Sequence, residues 1–172
     1  MARAPLVYDQ TILNVVHCYK YKGKIQLAGP LGGLLLTTFN CFWDKDSIDV
    51  VVPVPLHFKR LRKRGFNQVF LLIRNWKKFA AAKHIDLSGV RIEPNAIVRA
   101  ASTSPQTGLG RKARMTNIKN AFKIQYKEKI KDKTILLVDD VYTTGATVNE
   151  CARLLLKGGA NHVDVLTLAR AI

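Results

Sequence analysis

The chain has 172 residues, enough for one ordinary domain, with 48% apolar and 23% charged residues, which excludes a disordered polar chain. Twenty-eight Lys and Arg against 12 Asp and Glu give a formal net charge of +16, which excludes an acidic protein and points to anionic partners: phosphorylated metabolites, nucleic acid or an anionic surface. Cys18, Cys41 and Cys151 have no paired spacing, so neither a disulfide framework nor a structural zinc site is expected, and they read as buried thiols in a reducing cytosol.

In chain order, residues 9–21 carry Ile12, Leu13, Val15, Val16 and Tyr19 at helical spacing, and residues 25–43 read as a second, apolar helix. Within it the apolar patch 27–42 is broken by Gly29, Pro30, Gly32, Gly33 and Asn40 and reads as too short to span a bilayer; with no signal-peptide layout at residues 1–6, the chain reads as soluble and cytoplasmic. Residues 48–54 form a β-branched run expected as a buried strand, closed by Pro53 and Pro55. Residues 67–82 predict one long amphipathic helix, 86–95 a linker and 97–98 a short strand. Residues 101–119, rich in Ser, Thr and Gly, have the character of a long mobile loop. Residues 121–126 alternate like an edge strand, 134–138 predict a buried strand, 146–157 a helix stopped by Gly158 and Gly159, and 163–169 a last strand. Strands alternating with helices imply a single α/β domain with a mainly parallel, helix-flanked sheet.

The most informative segment is 135–147, where an apolar strand delivers Asp139 and Asp140 and then Val141, Tyr142, Thr143, Thr144, Gly145, Ala146 and Thr147 run straight into a helix. A hydroxyl-rich turn at a helix N-terminus offers backbone N–H groups and a positive dipole end, which suit a phosphate monoester. Two carboxylates would repel phosphate, so they imply ligand hydroxyls to be bound or a metal ion to be held. A sugar phosphate satisfies both halves, with hydroxyls on Asp139 and Asp140 and phosphate on 143–147. A nucleotide-hydrolase metal site is the other reading of strand plus acid, but the chain has no GxxxxGK[ST] partner for it.

Positive charge is concentrated elsewhere. Between Asp49 and Asp86 lie nine bases and no acid, five of them at Lys59, Arg60, Arg62, Lys63 and Arg64; between Glu93 and Glu128 lie seven bases and no acid. The 59–64 cluster reads either as a phosphate-binding element or as a basic turn, and Lys59, Arg60, Arg62 and Lys63, interleaved with Phe58 and Phe66, also suit single-stranded DNA.

Segment 135–147 resembles the phosphoribosyl-diphosphate (PRPP) signature of type I phosphoribosyltransferases. With Pro53-Val-Pro55, Arg64-Gly-Phe-Asn-Gln68, Gln106, Arg114, Asn117, the 20–23 Lys-Tyr-Lys-Gly run and the closing Gly158-Gly159-Ala160, the chain resembles the competence protein F (ComF) family along nearly its whole length. The resemblance implies a type I phosphoribosyltransferase fold, with residues 1–45 as a helical hood, 46–172 as the core, and a flexible loop. It implies that PRPP or ribose 5-phosphate binds at 139–147, with diphosphate on Val54, Pro55, Leu56 and Arg64 and, from the loop, on Gln106, Arg111 and Arg114. Mg²⁺ is the implied cofactor, near Asp139 and Asp140 through water or the ligand's own oxygens. Catalysis would rest on Asp139, Asp140 and Arg64, transferring phosphoribosyl to an unidentified acceptor. The family link implies DNA uptake in natural transformation, beside a helicase-like partner, and leaves a non-catalytic single-stranded-DNA-binding factor as the alternative. Many such proteins begin with a four-cysteine zinc ribbon, and this sequence carries none.

Overall fold

The structure, a computed structural model, describes residues 1–44, 46–100, 118 and 120–171. Its centre is a six-stranded sheet in which all pairings are parallel. The strands are β1 (Ala2–Arg3), β2 (Leu6–Val7), β3 (Val50–Pro53), β4 (Arg91–Ile92), β7 (Thr134–Tyr142) and β8 (His162–Arg170). Their order is β1-β8-β7-β3-β4, with β2 also on β8. Strands β5 (Ile97–Arg99) and β6 (Phe122–Ile124) form a separate antiparallel pair.

The sheet is covered on both faces, which is why its strands read as apolar runs rather than alternating ones. Val51, Leu136, Val138, Leu166 and Leu168 face one core, shared with α1 (Gln10–Tyr21), α2 (Ala28–Phe42), α4 (Gln68–Ile73) and α5 (Trp76–Ala82). Val50, Val52, Ile135, Leu137 and Val165 face the other, against α6 (Ala146–Lys157) and the β5–β6 pair. The period-two alternation of a strand thus divides each one between two cores.

Several expectations are corrected. The stretch Ile25–Phe42, a 3₁₀ turn running into α2, is 18 residues long with mean hydropathy 1.2 and does meet the length for a membrane span. Here Leu35, Leu36 and Phe39 of α2 are instead buried in the core. The single helix expected over 67–82 divides into α4 and α5: Asn75 (φ −100°, ψ 9°) leaves the helical region. Trp76 is fully buried and its Nε1–H donates to the Gly32 carbonyl at 3.1 Å, so the break re-aims the second half onto α2. The basic cluster is no turn but helix α3 (Phe58–Arg64), capped by His57 Nδ1 accepting from the Lys59 N–H at 3.2 Å and ended by Gly65 at φ +79°. Residues 2–7, expected in the helical hood, join the sheet beside β8, and residues 91–92 of the expected linker form its opposite edge. Of the three thiols, Cys151 is buried while Cys41 is exposed.

Candidate sugar phosphate site

Strand β7 runs four residues further than expected, so the two aspartates lie within it: Asp139 pairs with Thr167 and Val141 with Ala169 of β8. The chain then turns through 143–145 into α6. Gly145 makes the turn at φ +73°, and a Cβ there would sit 2.5 Å from the Tyr142 hydroxyl, so any other residue would be strained and would displace the tyrosine ring. Val148, Cys151 and Leu155 bury one face of α6 on the sheet, which directs its N-terminus toward the end of β7.

Beside β7 lies β3, parallel to it, so both C-terminal ends open on the same side. From β3 the chain continues to β4 on one side, and from β7 to β8 on the other. The crevice between β3 and β7 is therefore the point where strand order diverges, the place where open α/β sheets bind ligands. It holds a cavity of about 830 Å³. One wall is residues 139–148; facing it are Val54, Pro55 and Leu56 after β3, then Arg60, Lys63 and Arg64 of α3; the end of α1 contributes Lys20 and Tyr21. The Val54 N–H donates to the Val138 carbonyl at 2.8 Å, which holds the two strand ends together.

The electrostatics of this cavity are divided. Asp139 accepts the Asp140 N–H at 2.8 Å, yet burial, and secondarily the neighbouring Asp140 charge, push its carboxyl up to about 7. Asp140 is paired with Lys20, Oδ2 to Nζ, at 2.8 Å. Burial alone would pull the Lys20 ammonium down, but the Asp140 carboxylate outweighs it and the net shift is upward. Arg99, at the end of β5 and only 8% exposed, also lines the cavity, its guanidinium 5.5 Å from the Phe122 ring centroid. Burial and the nearby Arg60 charge lower its pKa. Arg64 lies over the ring of Tyr21 at 4.6 Å.

Among the described residues no group of three or more His, Cys, Asp or Glu is placed to cage a metal ion. Two adjacent carboxylates, one already paired with a lysine, fit a Mg²⁺ that draws most of its oxygens from a bound phosphate ligand and water.

The cavity brings together Asp139, Asp140, Val141, Thr143, Thr144, Gly145, Ala146, Thr147, Val54, Pro55, Leu56 and Arg64. Arg60 and Lys63, expected on a DNA-tracking surface, line this same cavity, whereas Lys59 and Arg62 are exposed and absent from its lining. Gln106, Arg111 and Arg114 lie outside the described residues. Lys20, Tyr21, Arg99 and Tyr142 also line the cavity, and the sequence alone gives none of them a role. The 20–23 run was a signal for the first two; nothing local marked Arg99.

A family model described as "Phosphoribosyl transferase domain" matches residues 80–172. "DNA utilization protein YhgH" of Escherichia coli O6:H1 is 31% identical over 168 residues, which is 96% of this chain and 70% of that protein. "Competence protein F" of Haemophilus influenzae is 37% identical over 124 residues, 72% of this chain and 51% of that protein, so the chain spans about half of that relative. Among solved structures, a phosphoribosylpyrophosphate synthetase from Mycobacterium smegmatis aligns at 20% identity and TM-score 0.43, over 79% of this chain and 33% of that one. The divergent strands, the acid-and-turn run and the extent of the family-model and sequence matches agree, and the chain belongs to the ComF family, built on the type I phosphoribosyltransferase fold.

Proposed function

We propose that this protein binds PRPP with Mg²⁺ in the β3–β7 cavity and transfers its phosphoribosyl group to an acceptor, releasing diphosphate. The observation that carries this reading is the joining, in one cavity, of the acid pair and turn after β7 with the Val54-Pro-Leu segment and the bases of α3. A ligand with a phosphate monoester at one end, hydroxyls in the middle and a polyanion at the other matches that order of groups.

The 5-phosphate would take the N-terminal end of α6, where amide donors and the helix dipole favour an anion. Asp139 and Asp140 would accept the ribose hydroxyls, fixing the sugar so that its C1 faces the acceptor side. The bond from C1 to diphosphate breaks with its electron pair leaving on the diphosphate; the acceptor's lone pair forms the new bond to C1, and its proton passes to solvent. Arg64, with Arg60 and Lys63, would meet the charge gathering on the departing diphosphate, stabilisation concentrated in the transition state. Mg²⁺, when bound, supplies further neutralisation of that leaving group.

A second reading is favoured by the other face of α3. Phe58 is 59% exposed, with the Arg62 guanidinium 5.3 Å from its ring centroid and Lys59 exposed beside it, a stacking and phosphate-tracking surface suited to single-stranded DNA. Calorimetric titration separates the two. With PRPP and Mg²⁺, the parent is expected to bind, and Asp139→Asn/Asp140→Asn to lose at least about tenfold in affinity, about 1.4 kcal/mol. A parent that takes up single-stranded DNA but no PRPP would favour the second reading and sink the first.

A further inference from the structure

The end of helix α1 is fixed at three consecutive residues. Tyr19 is fully buried, and its hydroxyl donates to the Gln68 carbonyl at 2.7 Å, which sets the position of the last helical turn. Tyr21 lies against Arg64, in the basic wall, at 4.6 Å. Between them Lys20, whose side chain is 20% exposed, reaches the acidic floor, Nζ to Asp140 Oδ2 at 2.8 Å. A lysine 120 positions from its partner in sequence, held from a buried neighbour, is a built contact rather than a chance surface pair.

This contact answers a problem that the site poses. Two adjacent carboxylates place up to two like charges at one strand end, and such charges repel each other appreciably in a partly buried cavity. An ammonium on Asp140 removes one of them and fixes that carboxylate's orientation. Of the other bases lining the cavity, Arg60, Lys63 and Arg64 stand on α3 and Arg99 stands at the end of β5, where its charge interacts with that of Asp139.

We infer that Lys20 is a positioning residue for the sugar: it holds Asp140 to receive ribose hydroxyls, which makes selection for a phosphorylated sugar over phosphate alone depend on α1. The inference rests on the sugar phosphate reading of the cavity. It assigns to the N-terminal helical layer a part in recognising the ribose itself, not only in covering the acceptor.

The test compares ribose 5-phosphate and inorganic phosphate as ligands of the full chain, by calorimetry or phosphorus NMR. Lys20→Met is expected to weaken ribose 5-phosphate about tenfold and inorganic phosphate less than about twofold, with an unchanged unfolding temperature. In an Asp140→Asn background, the same change is expected to cost ribose 5-phosphate less than about twofold, because the partner is already neutral. Lys20→Gln, shorter and polar, serves as the second variant should the methionine protein fail to fold. Equal losses for both ligands, full additivity with Asp140→Asn, or no loss at all would overturn the assignment to Lys20 while leaving the sugar phosphate site standing. A parent that binds neither ligand would overturn the site reading and this inference together.

Discussion

Asp139 shows how the fold and the site make opposing demands on one residue. A carboxylate at the end of a buried strand is costly to ionise, and burial followed by the Asp140 charge raises its folded pKa from 3.8 to about 7. Between those two values the folded, ligand-free protein holds a proton that the unfolded chain has released. Stability from this group is therefore present at low pH and is lost as pH rises through about 7. Asp139→Asn keeps an oxygen to accept the Asp140 N–H and removes the charge. In urea titrations without ligand, the variant is expected to match the parent near pH 4 and exceed it at pH 8, by up to about 4 kcal/mol. A constant difference across that range would show that Asp139 titrates as an ordinary exposed carboxyl. A residue that costs stability at neutral pH belongs to a functional site more readily than to a scaffold.

At the scale of elements, close packing and capping decide what periodicity alone does not. The backbone of α2 meets that of α4 so closely that a Cβ on Gly32 would stand 2.2 Å from the Leu72 carbonyl oxygen, whereas one on Gly33 would meet nothing within 4 Å. Gly32→Ala is expected to destabilise by about 1–3 kcal/mol through overpacking, and Gly33→Ala to stabilise by at most about 1 kcal/mol through helix propensity, read as opposite shifts in denaturation midpoint. Shifts of the same sign would mean that α2 and α4 do not pack this way.

Legibility in the sequence follows the same physics. Helix α6 and strand β7 were plain because a buried β-branched run, a turn and a Gly-Gly stop are contiguous. The break at Asn75 was hidden, since apolar spacing continues across it and only the burial of Trp76 against Gly32 reveals the turn. Helix α3 was hidden for the opposite reason: five bases leave little apolar face, and the helix is marked by its His57 and Gly65 caps instead. Strands of two residues, β1, β2 and β4, are too short for any pattern and exist because β8 and β3 offer them an edge. In the site, the acid pair and turn were readable as one stretch, while Lys20 and Arg99 arrive from distant elements and only the fold brings them in.

For the whole molecule, the topology explains why one cavity receives such different segments. Parallel pairing of β3 with β7 lays two strand ends side by side although more than 80 residues separate them, Val50 opposite Ile135 and Pro53 opposite Val138. The chain departs from them in opposite directions, leaving a crevice that neither connection fills. The bases of α3 stand on one side of it, and on the other the acid pair is accompanied by Lys20, so the excess of 28 bases over 12 acids still leaves acids and bases grouped at different parts of one cavity. On the proposed reading, a sugar phosphate lying across the crevice would be oriented by charge, with anionic ends toward the α6 turn and α3 and hydroxyls toward β7. The most direct test of this account is a crystal structure of the protein with ribose 5-phosphate. The expected result is the phosphate within hydrogen-bonding distance of the 143–147 backbone and the ring hydroxyls on Asp139 and Asp140. A sugar phosphate bound elsewhere on the chain, or seated in this cavity with its phosphate on α3 and its hydroxyls away from the acid pair, would contradict it.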